Sequence, residues 1–450
     1  MSVLPALCGK RRINHKGRKG FHEGHKGLNP KYSMDYLQPP IFITGPFRQL
    51  LTMDKLPLKG SLKDAQLEII EEAGIVHQNG QIIETGQFKS LCTKYSFAGI
   101  TIQPNDTDLI VLPGLVDPHT HICWAGSREK DYALRLEGKS YTEIALSGGG
   151  IWDTVTKTRH ASGVKLNKLL ISRISRQLNC GITTCEVKSG YALNLEGEIR
   201  LLEMIKAVRQ EHPIDLVSTC LAAHIRPLDF EGTANEYLQY LTMMLLPLIK
   251  SEELSNRVDI YVDDGAFSAH EAENYLKAAK KLGFDLVVHG EQFTSGGVQL
   301  AVNLGAKSVD HLEVIQSGEI KILAASDVVA TALPGASLGL GCPFAPARRL
   351  LDAGCCLAIG SDWNPGSAPM GDLLVQTAIL GTFEKLTNAE QLSAITFRAA
   401  HALGLNDRGI LKKGYLADFI GFPGRNYREI LYNQGMLKPA FVWKNGTRIP

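Results

Sequence analysis

Two histidines one residue apart, His119 and His121, close an apolar run over 110–118 that reads Ile-Val-Leu-Pro-Gly-Leu-Val-Asp-Pro. On a β-strand, residues i and i+2 point to the same side. Both imidazoles can therefore reach one divalent metal with little rearrangement, and neutral imidazole is the commonest biological metal ligand. A single triplet of this kind is more often an accident of surface or core. Further ligand-type residues at the ends of further strand-like runs change that balance.

The run 215–223 ends in His224, and the run 285–288 leads into His289-Gly290-Glu291-Gln292. The run 306–310 ends in His311, and 355–361 ends in Asp362-Trp363-Asn364-Pro365-Gly366. Any one of these histidines alone reads as a satisfied structural group. Five of them at strand ends, with a carboxylate at the last, do not. Three imidazoles, one carboxylate and an open position describe a mononuclear catalytic site for zinc or iron. Such an ion lowers the pKa of water toward neutrality and polarises a carbonyl. We assign His119, His121, His289 and Asp362 as the ligands, with Asp362 doubling as general base. On spacing alone, His224 competes with His289 for its place. A second metal would need a bridging residue on the fourth run, 258–265, which has no lysine, although Asp263 or Asp264 could serve. Lys188 sits on the second run, too early to bridge, so one metal is the better reading.

Other residues belong near such a site. Arg128, seven positions after His121, suits a bidentate grip on a carboxylate, against the alternative of a solvated loop arginine. Tyr191 is a phenol at another strand end and would otherwise pack. Gly148-Gly149-Gly150 either cradles an anion or turns tightly, and it lacks the context of a nucleotide-binding loop. Cys123 lies close to the ligands, but no partner motif marks it as a nucleophile.

These residues need a scaffold that brings strand ends together. Eight strand candidates are legible, at 115–121, 181–191, 215–224, 258–267, 285–293, 307–313, 327–334 and 355–365. Helical patterns separate most of them, as at 164–177, 195–209, 269–282 and 297–304. Eight βα units over about 250 residues is the size of a (β/α)8 barrel, whose active site lies at the C-terminal strand ends. The flanking regions, 37–112 and 408–450, read instead as short strands with turns. Examples are 74–76, 80–86, 409–414, 417–422 and 440–446.

Composition narrows the partners. The 450 residues are 44% hydrophobic and 21% charged, ordinary for a globular enzyme. The net charge of +2 hides an uneven distribution, because residues 1–33 hold eight Lys or Arg and one acid, leaving −5 for the remainder. A basic nucleic-acid surface is therefore not expected. The stretch 1–36 reads as a disordered basic extension, and a true start at Met34 explains it equally well. No signal-peptide core or transmembrane run is present, so neither secretion nor membrane contact is expected. Nine cysteines without a CxxC pair fit a reducing cytoplasm.

With these residues in place, the chain resembles the imidazolonepropionases of the amidohydrolase superfamily. The similar stretches are Pro113-Gly114-Leu115-Val116-Asp117-Pro118-His119-Thr120-His121, Ala125-Gly126-Ser127-Arg128 and Gly148-Gly149-Gly150-Ile151. They continue with Glu186-Val187-Lys188-Ser189-Gly190-Tyr191, Ala223-His224 and Ser361-Asp362-Trp363-Asn364-Pro365-Gly366-Ser367. The likeness spans about 40–450; the histidine triplet is shared across the superfamily, and the later segments with Arg128 narrow it. It implies a metal-dependent hydrolase barrel at 113–407, with both chain ends paired into a small β-sandwich domain. It further implies hydrolysis of the cyclic amide of 4-imidazolone-5-propanoate to N-formimidoyl-L-glutamate, a small-molecule substrate, and a homodimer.

On the same pattern Arg128, Tyr191 and His224 contact the substrate, Asn364, Gly366 and Ser367 line the product side, and His311 polarises the ring carbonyl. Three residues after His289 some relatives carry Glu, whereas this chain has Gln292, with Glu291 one place earlier. Gln292 can hold the ring but cannot accept a proton, which moves the base role toward Asp362 or His311. The alternatives are another cyclic amidase or a deaminase on the same scaffold, and, at greater distance, a scaffold without catalysis.

Overall fold

The computed structural model describes residues 40–450 apart from Ala98, so the extension expected over 1–36 lies outside the described residues. Eight parallel strands follow one another in chain order round a barrel: β1 (Leu115–Asp117), β2 (Ile182–Lys188), β3 (Asp215–Ala223), β4 (Arg257–Val262), β5 (Asp285–Gly290), β6 (Ser308–His311), β7 (Val329–Ala332) and β8 (Leu357–Ile359). All eight expected strands are present, shorter at their C-terminal ends than the sequence suggested. The reason at β1 is Pro118, which has no N–H to continue a ladder. His119 and His121 therefore follow the strand rather than sit on it. Backbone bonds still hold them extended, with Lys188 N donating to Thr120 O, His121 N to Trp363 O and Asp362 N to His119 O, each at 3.0 Å. The last two of these bonds link the segments that follow the first and last strands and so bring the two ends of the barrel sheet together.

The helices between strands match their sequence signals closely. Gly163–Asn179, Leu195–Glu211 and Ala269–Lys281 start at Ser162, Asn194 and Ser268, whose side chains accept the exposed N–H groups of the first turn. Their apolar stripes pack on the barrel: Leu166, Leu170 and Ile174 of the first are buried, as are Leu201, Leu202 and Ile205 of the second.

Strands from both chain ends build a second sheet. Its order is Thr447–Arg448, Phe441–Lys444, Phe419–Pro423, Leu109–Pro113, Ile41–Leu51, Ile69–Gln78, Gln81–Gln87, and Ile100–Pro104 pairs with the first half of Ile41–Leu51. It is one forked, hydrogen-bonded sheet curled round Phe47, Ile75, Val111, Phe419 and Trp443. Bonds from Ile82 N to Tyr415 O and Ala417 N to Gly80 O draw its far edge back to the C-terminal strands. The segment 409–414, expected as a strand, is a loop, because Gly409 and Gly414 take φ of 77° and 85° and turn the chain at both ends. The apolar run before the histidines is likewise two strands in two sheets, parted at Gly114, where a Cβ would come within 2.2 Å of Thr183 Oγ1.

Lys444 Nζ donates to Asp418 at 2.6 Å and to Asp215 of β3 at 2.9 Å, tying this sheet to the barrel. Among the described residues no helix is long and apolar enough to cross a membrane.

Candidate metal centre and substrate cavity

The C-terminal strand ends bring His119, His121 and His289 into one buried cluster, with Asp362 buried against His119 and His121. The Nε2 atoms of His119 and His121 are 3.2 Å apart, and those of His121 and His289 are 3.3 Å apart. Asp362 Oδ1 is 3.3 Å from His121 Nε2 and 3.5 Å from His119 Nε2. Two of the three outer nitrogens have their own acceptors: His119 Nδ1 donates to Asp310 Oδ2 at 2.7 Å and His289 Nδ1 to Asp259 at 3.0 Å, whereas His121 Nδ1 is buried without a hydrogen-bond partner. With the proton of His119 and of His289 fixed on Nδ1, the Nε2 of each of these two rings presents a lone pair. Burial holds His119 well below the usual histidine range and His289 down to about 4, so both rings are neutral.

Imidazole nitrogens converging at this distance form a cradle that suits a cation. Bonds of about 2.0–2.1 Å to a tetrahedral ion would set neighbouring donors about 3.3 Å apart, which is the spacing observed. Charge agrees with geometry. The buried carboxyl groups of Glu186, Asp259 and Asp310 gather round Lys188, with Arg257 beside Glu186, and the Asp362 carboxylate faces the imidazoles, surroundings that suit a cation. The donor set fits one divalent metal.

His224, the competitor on spacing, lies beside the His119, His121 and His289 cluster rather than in it. Its Nδ1 donates to Gly190 O at 3.0 Å, and its ring stacks on that of His121 with centroids 5.4 Å apart. Burial holds it neutral as well. Asp263, a candidate bridge on the fourth run, accepts the backbone N–H groups of Gln292 and Phe293 and so braces the loop after β5.

A cavity of about 290 Å3 opens above the cluster, lined by every other residue assigned from sequence: Arg128, Tyr191, His224, Gln292, His311, and the Asn364, Gly366 and Ser367 loop. Gln292 Oε1 accepts from Tyr261 Oη at 2.8 Å, which turns its amide NH2 toward the cavity. His311 has φ of 93°, a strained conformation for a non-glycine residue. Its Nδ1 lies 3.3 Å from Glu313 Oε1. Burial disfavours its charge, but the Glu313 carboxylate outweighs that and raises its pKa to about 9. Asn364 and Ser367 serve Asp362 directly: Asn364 Nδ2 and Ser367 Oγ donate to Asp362 Oδ2 at 2.9 and 3.3 Å, leaving Oδ1 aimed at the imidazoles.

Arg128 enters the cavity nearly buried, its Nε donating to Asp131 Oδ2 at 2.7 Å. Gly366 makes that position accessible, since a Cβ there would lie 2.2 Å from Arg128 Nη1. The Gly148–150 loop turns onto the Asp131 carboxylate. Gly150 N donates to Asp131 at 2.9 Å and so supports Arg128 from behind. Cys123 is buried and its thiol pushed up to about 12, which rules it out as a nucleophile.

Glu291, the neighbouring base candidate, points the other way. Its carboxylate accepts from Gly296 N and Val298 N at 2.9 Å and caps the helix Gly297–Leu304. Glu291→Ala is expected to cost about 1–2 kcal/mol of stability, read as a lower urea midpoint, while kcat stays within a few-fold of wild type.

The sequence reading missed Asp259, Asp310, Glu313 and Tyr261. Their signal was alternation: on β4, Arg257, Asp259 and Tyr261 alternate with Val258, Ile260 and Val262, as they must where one face points into a barrel. Asp310 and Glu313 flank His311 in the chain.

Comparison with known proteins agrees with this geometry. A family model described as the amidohydrolase family matches residues 110–449. The chain is 40% identical over 388 residues to the imidazolonepropionase of Deinococcus deserti, covering 85% of this chain and 94% of that one. It is 38% identical over 405 residues to the imidazolonepropionase of Bacillus cytotoxicus, covering 89% and 94%. Among solved structures, an adenosine deaminase from Xanthomonas campestris with bound zinc superposes with a TM-score of 0.67 at 17% identity, covering 91% of this chain and 93% of its own. An atrazine chlorohydrolase from Arthrobacter aurescens complexed with zinc gives 0.64 at 16%, covering 90% and 94%. At those identities the structural likeness concerns the fold alone.

Proposed function

This chain belongs to the amidohydrolase family and, within it, to the imidazolonepropionases, and from that premise we propose that its cavity hydrolyses 4-imidazolone-5-propanoate to N-formimidoyl-L-glutamate, a step of histidine degradation. The observation that carries the reading is the pairing of a four-donor metal cluster with a buried arginine across one cavity. His119, His121, His289 and Asp362 hold one zinc or iron(II) ion. Such an ion supplies Lewis acidity toward the ring carbonyl and lowers the pKa of water.

The protein's own groups do the rest. Arg128, held by Asp131, grips the propionate and sets the ring in register. Tyr191 and His224 flank the ring, and the Gln292 amide, turned by Tyr261, donates to it. Asp362 accepts the proton of the attacking water as its oxygen joins the carbonyl carbon, and returns a proton to the ring nitrogen as the carbon–nitrogen bond breaks. His311, charged through Glu313, donates to the carbonyl oxygen as negative charge builds there. The ring nitrogen leaves as the imino end of the formimidoyl group.

The test is ultraviolet loss of freshly generated imidazolone propionate, with and without a chelator. Chelation is expected to reduce turnover at least a hundredfold, with zinc or iron(II) restoring it. Metal-loaded protein that turns over a cyclic amide or aminopurine lacking a carboxylate, and not this substrate, would move the assignment to a neighbouring activity.

A further inference from the structure

Behind the imidazoles lies a buried cation that none of this chemistry uses. Lys188, the last residue of β2, is fully buried, with Nζ 2.7 Å from Glu186 Oε2, 2.7 Å from Asp259 Oδ2 and 4.0 Å from Asp310 Oδ2. Asp259 and Asp310 are the two acceptors that orient His289 and His119. Lys188, Asp259 and Asp310 come from β2, β4 and β6. In a barrel of this kind, side chains of alternate strands share one layer. One ammonium thus sits at the centre of the layer beneath the metal donors, against both carboxylates that aim them.

We propose that Lys188 is a positioning residue of the metal centre: by holding Asp259 and Asp310 in place, it keeps the Nε2 atoms of His289 and His119 convergent and so sets metal affinity. The inference rests on the ligand set proposed above. The distances carry the argument. Asp259 divides its carboxylate between the ammonium and the His289 ring, so a rotation that loses the first disturbs the second. The Asp310 oxygen facing Lys188, Oδ2, is the same atom that accepts from His119. Outer partners of this type set metal affinity by positioning ligands they do not replace. Arg257 supplies the contrast. It is a buried cation of the same network whose Nε meets Glu186 and Thr219, not an aspartate bound to an imidazole.

The experiment compares metal-stripped wild type, Lys188→Met, Lys188→Met with Glu186→Gln, Arg257→Met and His289→Ala. Zinc is titrated against a chromophoric chelator, and absorption spectra are recorded after loading with cobalt(II). The double variant removes the ammonium together with an anion that touches no imidazole, so the fold survives, as circular dichroism will record. Both Lys188 variants are expected to bind zinc about 10- to 100-fold more weakly and to shift the cobalt ligand-field bands, while Arg257→Met stays within about threefold of wild type. An unchanged affinity and cobalt spectrum in the folded double variant would overturn the proposal, as would an equal loss in Arg257→Met. Failure of the ligand set itself looks different: wild type and His289→Ala would then take up zinc equally.

Discussion

Asp362→Asn lowers kcat by at least about a thousandfold while leaving the fold intact. The expectation follows from the two faces of this carboxylate. Oδ2 is engaged by Asn364 and Ser367, and Oδ1 faces the Nε2 atoms of His119 and His121. Asparagine keeps the shape and can keep the bonds on the Oδ2 side. It cannot supply a negative donor or accept a proton. Loss of a general base costs about 10²- to 10⁴-fold, and a weakened metal site adds to it. The measurement is kcat together with metal content, so that the two contributions separate. Gln292→Ala is the companion, because an amide that only holds the ring should cost KM more than kcat. Asp362→Asn that retains its metal and turns over within tenfold of wild type would remove Asp362 from the base role.

Arg128→Gln raises KM about 30- to 3000-fold with metal content unchanged and kcat little altered. Removing one partner of a buried hydrogen-bonded charge pair costs about 2–5 kcal/mol, and about 1.4 kcal/mol is a decade in binding. Arg128 is suited to such a pair because Asp131 holds its Nε and Gly366 leaves room for Nη1. Lysine should rescue poorly, since a point charge cannot reproduce the planar fork. A substrate analogue with the propionate converted to its amide checks the assignment: it should be a poor substrate for wild type and lose little more with Arg128→Gln. Unchanged KM for the natural substrate would end the carboxylate-grip reading and favour a deaminase-like activity on the same scaffold.

Much of the site was readable before any coordinates. His119, His121, His289 and Asp362 come together as the spacing indicated, and the remaining assigned residues line the same cavity. What could not be read was the choice between His224 and His289. Both end a barrel strand, and nothing local distinguishes them. The decision lies in the tertiary placement of the two rings: His289 Nε2 comes within 3.3 Å of His121 Nε2, whereas the His224 ring stacks on that of His121 with centroids 5.4 Å apart. Gln292 and Glu291 pose the same problem one residue apart: a φ of 56° at Glu291 turns its carboxylate onto a helix and leaves Gln292 in the cavity.

Local chemistry accounts for the donors, the alternation of strands and helices and the count of eight, because hydrophobic period and residue type are written along the chain. The barrel then places strand ends side by side without further instruction. Which nitrogen of each imidazole faces inward, which carboxylate backs it, and how Lys188 joins two of those carboxylates are long-range matters. They depend on side chains 30 to 191 positions apart meeting in a dry interior, where an unpaired charge is costly enough to select one arrangement. The fold of this protein and the elements of its chemistry are local; the order among its buried charges belongs to the closed barrel.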